Sequence, residues 1–181
     1  MNVLLVGSPN SGKTTLFNRL TGLRAKTVNY PGSTVDLLVG EWGDVQLYDT
    51  PGVYSLFPRS PDEEITLRAL KTKEPHAVVV VVDATQLSRQ LAIALQLKEM
   101  FRAPSAAVTR VRSASVVVAV TMLDLMEREG EKVDLDLLSK ELGLPVIPTT
   151  SDSAIADLRR AIENGRGLKL GNGPGPLIPA P

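Results

Sequence analysis

The feature that most constrains this chain is Gly7-Ser8-Pro9-Asn10-Ser11-Gly12-Lys13-Thr14, which matches G-x-x-x-x-G-K-[ST]. The apolar run at residues 3–6 reads as a strand, and residues 15–20 read as the helix that follows. A strand that turns through glycines into a helix turns successive N–H groups and the helix N-terminus toward one point, where an anionic phosphate is held. In that setting Lys13 reaches the β- and γ-phosphates of a nucleotide, Thr14 offers its hydroxyl to Mg²⁺, and Thr15 continues the cradle.

The rest of the chain follows the rhythm this motif demands. Apolar runs at 3–6, 45–48, 78–82, 116–120 and 146–148 read as strands, most of them continuous in Val, Leu and Ile as in parallel strands buried on both faces. Helical stripes lie between them: Leu87, Leu91 and Leu95; Leu135, Leu138 and Leu142; Ile155, Leu158 and Ile162. Residues 34–42 supply one antiparallel edge strand. The expected fold class is α/β, a Ras-like P-loop fold with a six-stranded, mostly parallel sheet and helices on both faces. Residues 103–115 lack a period and read as a long loop or extra hairpin. Residues 165–181 are rich in Gly and Pro and read as a flexible tail after a domain at 1–164.

Composition removes several function classes. Twenty basic residues balance twenty acidic ones, which argues against a surface made for nucleic acid. There is no cysteine, so disulfides, thiol nucleophiles and Cys-based metal sites are excluded. The longest apolar run, 77–82, is far short of the roughly 18 residues of a membrane span. The N-terminus has no basic n-region and no long apolar h-region, so it does not read as a signal peptide.

Two further elements turn the phosphate loop into a switch. Asp49-Thr50-Pro51-Gly52 follows the strand 45–48, where Asp49 can hold Mg²⁺ through water and the Gly52 N–H can meet a γ-phosphate. Tyr30-Pro31-Gly32-Ser33-Thr34-Val35-Asp36 lies between the two, and Thr34 can add a second hydroxyl to Mg²⁺ when GTP is bound. Val53 stands where many GTPases carry the Gln that orients water, so hydrolysis by that route is closed. At the base end, Thr121-Met122-Leu123-Asp124 occupies the place of N-K-x-D. Asp124 can accept both guanine donors, while Thr121 offers less than an Asn amide. Thr150-Ser151-Asp152 stands at the S-A-[KR] position, with a backbone N–H from Ser151 still able to meet the base. Asp152 and Ser153 also read as a helix cap ahead of Ile155. His76, Trp42 and Tyr48 read as structural, Asp62, Glu63 and Glu64 as a charged helix start, and Arg110 and Arg112 as solvated.

These motifs, with Phe17-Asn18, Leu20-Thr21-Gly22, Tyr54-Ser55-Leu56, Ser60-Pro61-Asp62-Glu63, Asp83-Ala84-Thr85-Gln86-Leu87-Ser88-Arg89-Gln90-Leu91 and Gln96-Leu97, resemble the N-terminal G domain of the bacterial ferrous iron transporter FeoB family. The resemblance is close over residues 1–97 and looser over 116–162. It implies a cytoplasmic GTPase domain serving a membrane Fe²⁺ permease, with GTP and GDP as ligands, Mg²⁺, and slow, K⁺-assisted hydrolysis in which Asn10 helps hold the ion. It would also allow an oligomer formed through the G domain. The helical and membrane domains of that family are expected to be absent from these 181 residues. Two other readings stay open from the residues alone: a less selective NTPase that also takes ATP, and a nucleotide-gated binding module with little turnover.

Overall fold

The computed structural model describes residues 1–30, 36–102 and 114–164. Gly32, Ser33, Thr34 and Val35, most of the 103–115 segment and the Gly/Pro-rich 165–181 segment lie outside the described residues. Seven strands are present among those described: β1 (Asn2–Gly7), β2 (Ala25–Asn29), β3 (Asp36–Trp42), β4 (Val45–Asp49), β5 (Ala77–Asp83), β6 (Ser115–Thr121) and β7 (Val146–Pro148). The helices are α1 (Lys13–Thr21), α2 (Pro61–Thr72), α3 (Leu87–Arg102), α4 (Leu123–Arg128), α5 (Leu135–Leu142) and α6 (Asp152–Asn164).

The sheet order is β2-β3-β4-β1-β5-β6-β7. Pairs β4–β1, β1–β5, β5–β6 and β6–β7 are parallel, while β2–β3 and β3–β4 are antiparallel. Strand alternation sends side chains to two cores. Leu4, Val6, Val78, Val80, Val82, Val118 and Val120 pack under α2, α3 and α5. Val3, Leu5, Val79, Val81, Val117 and Ala119 pack under α1 and α6. This two-sided burial is why the central strands have no polar face to alternate with.

Three expectations need correction. The sheet has seven strands rather than six, and its edge is β2, not the 34–42 strand, which lies inside it as β3. Every residue of β2 is exposed, so it has no apolar alternation to betray it. Ser115, expected in the irregular segment, already begins β6 opposite Ala77. The stripe of α3 is also shifted. Gln90, Ile93, Ala94, Leu97 and Phe101 are its buried residues, Leu87 and Leu91 flank them, and Leu95 is 47% exposed. A Leu-only reading missed that Gln90 is buried because its Oε1 accepts the Asp83 N–H at 2.9 Å.

His76 is structural. Its N–H donates to the Asn2 carbonyl at 2.9 Å and its Nδ1 accepts from the Asn2 N–H at 3.1 Å, fastening the entry of β5 to β1 at the sheet end away from the phosphate loop. The acidic run opens α2 behind Ser60, whose Oγ accepts the Glu63 N–H, so negative charge meets the positive helix end.

Candidate nucleotide-binding site

The parallel strands β1, β5 and β6 all end at one edge, and the sequence motifs meet there. Gly7 ends β1 so close to β5 that an added Cβ would lie 2.3 Å from the Val81 carbonyl oxygen, which only glycine permits. Asn10 (φ 63°) and Gly12 (φ 86°) adopt the left-handed conformation that wraps the loop before α1 begins at Lys13. Lys13 Nζ donates to the Ser8 carbonyl at 3.1 Å across the hollow of this loop. Burial lowers the Lys13 pKa, and the nearby Asp49 charge only partly offsets that.

Thr14 Oγ1 donates to Asp49 Oδ2 at 2.8 Å, joining the phosphate loop to the end of β4. Asp49 Oδ1 is buried without a hydrogen-bond partner. Burial raises the Asp49 pKa, while the Thr14 hydroxyl and the Lys13 charge pull it back. A buried carboxylate with one oxygen free beside a Thr hydroxyl suits a hard divalent cation, so the donor set fits Mg²⁺.

The Asp49–Gly52 segment is tied down on all sides. Thr50 Oγ1 donates to the Leu5 carbonyl at 2.7 Å, Thr66 Oγ1 to the Pro51 carbonyl at 3.2 Å, and the Val53 N–H to the Gly7 carbonyl at 3.0 Å. Gly52 packs on the phosphate loop so tightly that a Cβ would lie 2.8 Å from Pro9 N. Val53 is fully buried in the core under α2 and α3, so it points away from the site. Beyond it, the Leu56 N–H donates to Gln96 Oε1 at 2.8 Å, and the Arg89 guanidinium lies 4.7 Å from the centre of the Tyr54 ring. The Tyr54-Ser55-Leu56 and Arg89…Gln96 elements are therefore contact partners.

Beside the first two turns of α1, starting at the phosphate loop, lies a cleft of about 420 Å³ lined by Gly12, Thr15, Leu16, Arg19, Thr121, Met122, Asp124, Thr149 and Thr150. Asp124 stands in the first turn of α4, exposed, with Arg128 at 3.8 Å. Met122 takes the left-handed conformation (φ 57°) that turns β6 into this helix. Thr121 Oγ1 donates toward the Ser11 carbonyl at 2.8 Å and the Val82 carbonyl at 3.2 Å, so it braces the phosphate loop from below.

The structure thus unites residues 7–15, 49–52, Thr121, Met122, Asp124 and Thr150 around one groove. Leu123 packs against the core instead. Asp36 opens β3 opposite Asn29 and is exposed. Ser151, not Asp152 or Ser153, caps α6, its Oγ accepting the Ala154 N–H at 3.1 Å. Asp152 instead pairs with Arg19 at 3.0 Å. Sequence reasoning missed Arg19, although its spacing from Thr15 puts it on the same face of α1. Asn10 is exposed, and among the described residues its carboxamide has no hydrogen-bond partner.

Fold and site together define a P-loop nucleotide-binding domain of the Ras-like GTPase class. A family profile described as Ferrous iron transport protein B matches residues 1–162, and the chain belongs to that family. It is 37% identical to the Fe(2+) transporter FeoB of Salmonella typhimurium and to that of Escherichia coli K12, in each case over 90% of this chain but 21% of the relative. The chain therefore spans about a fifth of the length of these curated relatives. Among solved structures, the G domain of the T. maritima FeoB iron transporter shares 32% identity at a TM-score of 0.77, covering 91% of this chain and 98% of that one. The cytosolic domain of L. pneumophila FeoB gives 35% and 0.80, covering 91% and 63%. An S. thermophilus NFeoB mutant bound to GDP gives 32% and 0.78, covering 90% and 61%. No helix among the described residues is long and apolar enough to cross a membrane.

Proposed function

We propose that this chain binds guanine nucleotides with Mg²⁺ and hydrolyses GTP to GDP and phosphate, as the cytoplasmic regulatory G domain of a ferrous iron transporter. The observation that carries the reading is the groove running from the phosphate loop at Gly12 to Asp124, a cleft of base size with a carboxylate at its far wall. Guanine presents two donors, N1–H and N2–H, that one carboxylate accepts together, and adenine lacks that pair. The GDP-bound relative supports the same ligand class.

The roles follow from the contacts. The backbone from Gly7 to Thr15 cradles the phosphates, and Lys13 exchanges its Ser8 carbonyl for phosphate oxygens. Thr14 and Asp49 would hold Mg²⁺, with Thr34 as a further ligand in the GTP state; the ion supplies charge to the phosphates. The Gly52 N–H senses the γ-phosphate. Turnover is slow because Val53 is buried where other GTPases aim a water-orienting Gln. The free carboxamide of Asn10 beside the phosphates suits a monovalent cation, and K⁺ there adds the positive charge that an arginine finger provides elsewhere. The Fe²⁺-conducting part belongs to the much longer remainder of such transporters.

The test is displacement of a fluorescent GDP analogue by GDP, GTP and ATP with Mg²⁺, followed by phosphate release in K⁺ and in Na⁺. Guanine nucleotides displace the probe far better than ATP, and K⁺ accelerates release. Equal competition by ATP would overturn the guanine reading, and equal rates in both salts would remove the role of Asn10.

A further inference from the structure

The base end of the groove carries an unexpected cation. Both positions where GTPase motifs place a base-flanking basic side chain are vacated here: Met122 stands in one, and Asp152 in the other. The groove nevertheless contains a guanidinium, brought by α1. Arg19 Nη1 donates to the Thr149 carbonyl, and Nη2 pairs with Asp152 Oδ1 at 3.0 Å. Arg19 keeps about a third of its side chain exposed and lines the same cleft as Asp124.

We propose that Arg19 is a specificity-determining residue of this groove, selecting the O6 acceptor of guanine against the N6 amino group of adenine. The inference rests on the guanine reading above. With N1–H and N2–H taken by Asp124, the remaining group on that edge of guanine is O6, which has two lone pairs to fill; the Ser151 N–H can meet one and Arg19 brings a charged donor for the other, whereas adenine carries an amino donor at the equivalent position. The Thr121 hydroxyl is committed to Ser11 and Val82, and the Thr149 hydroxyl to the Val120 carbonyl at 3.0 Å. The Thr15 and Thr150 hydroxyls donate and accept equally well, so they do not discriminate between the bases. A guanidinium has five donors and no acceptor, and it stays charged at any working pH. Arg19 therefore favours O6 and opposes an amino group. Its bond to the Thr149 carbonyl also steadies the loop that leads from β7 to α6. Asp152 is fully exposed, so its pairing orients Arg19 without holding it strongly.

The experiment is competition of GDP, IDP and ADP against a fluorescent GDP analogue for wild type, Arg19→Gln, Arg19→Lys and Asp152→Asn. IDP keeps O6 and N1–H but lacks the N2 amino group, which isolates the O6 contribution. Arg19→Gln weakens GDP and IDP about tenfold and leaves ADP unchanged or tighter, Arg19→Lys restores most of the preference, and Asp152→Asn changes little. A wild-type GDP:ADP ratio in Arg19→Gln, or equal weakening of all three nucleotides, overturns the role of Arg19. A wild-type chain without any preference for GDP would overturn the guanine reading itself. If Arg19→Gln folds poorly, Arg19→Met, which keeps the length of the stem and removes every donor, reads the same ratio: loss of the GDP preference over ADP is expected, and a wild-type ratio overturns the role of Arg19.

Discussion

Replacing Thr121 with Val removes one hydroxyl and keeps the shape of the side chain, so it isolates the bond that holds the phosphate loop to β6. The hydroxyl is buried and donates to the Ser11 carbonyl at 2.8 Å and, more weakly, to the Val82 carbonyl at 3.2 Å. Val82 lies inside the β5–β6 ladder, so its carbonyl has backbone neighbours, whereas Ser11 is in the loop. The main loss is one satisfied buried acceptor, about 1–2 kcal/mol. For a domain of this size that lowers Tm by roughly 2–4 °C per kcal/mol, so a fall of about 5 °C is expected. The loosened loop also weakens GDP by about tenfold, since 1.4 kcal/mol corresponds to one decade. Thr121→Ser keeps the hydroxyl but loses the methyl that faces Gly12, so it loses stability while retaining GDP affinity. Calorimetric unfolding and a fluorescent GDP titration on the three proteins read both quantities. If Thr121→Val unfolds and binds like the parent, the hydroxyl does not hold the loop and the reasoning fails.

Two more outcomes follow from the same end of the sheet. Asp49 is held above its ordinary value of 3.8, so the folded chain binds more protons than the unfolded one between 3.8 and that raised value; without Mg²⁺ and nucleotide, stability falls as pH rises through this window. Asp49→Asn abolishes that slope in thermal unfolding measured across mildly acidic pH, and it removes Mg²⁺-dependent stabilisation by GTP; a slope unchanged in the variant would assign the titration elsewhere. Gly52→Ala drives a Cβ to 2.8–2.9 Å from backbone and ring atoms of Pro9, so the segment carrying Gly52 is pushed off the phosphate loop at a cost of about 1–3 kcal/mol. Single-turnover GTP hydrolysis should drop by at least tenfold while GDP affinity stays near that of the parent, and undiminished hydrolysis would mean that Gly52 does not serve the γ-phosphate.

Much of this protein is legible along the chain because its determinants are local. Gly7 to Thr14 needs only its own glycines and the strand and helix beside it to become an anion cradle. Residues 78–82 and 116–120 are uniformly apolar because both faces of the sheet are covered, and that signal survives without knowing what covers them. Asp49 and Asp124 are legible for the same reason: each follows a strand whose end position follows from the α/β rhythm. What lay beyond the sequence depends on contacts between distant segments. The exposed strand β2 exists only because β3 offers it an edge. Val53 lies in the core, and Gln96 reaches the Leu56 N–H, because α3 crosses the loop after Gly52. Thr121 braces Ser11, 110 residues away in sequence, and Arg19 meets Thr149 across the groove. Local pattern determined the elements and the phosphate chemistry. The packing of α1, α3 and β6 around one edge decided which side chains line the groove, because those contacts join segments that only the folded sheet brings together.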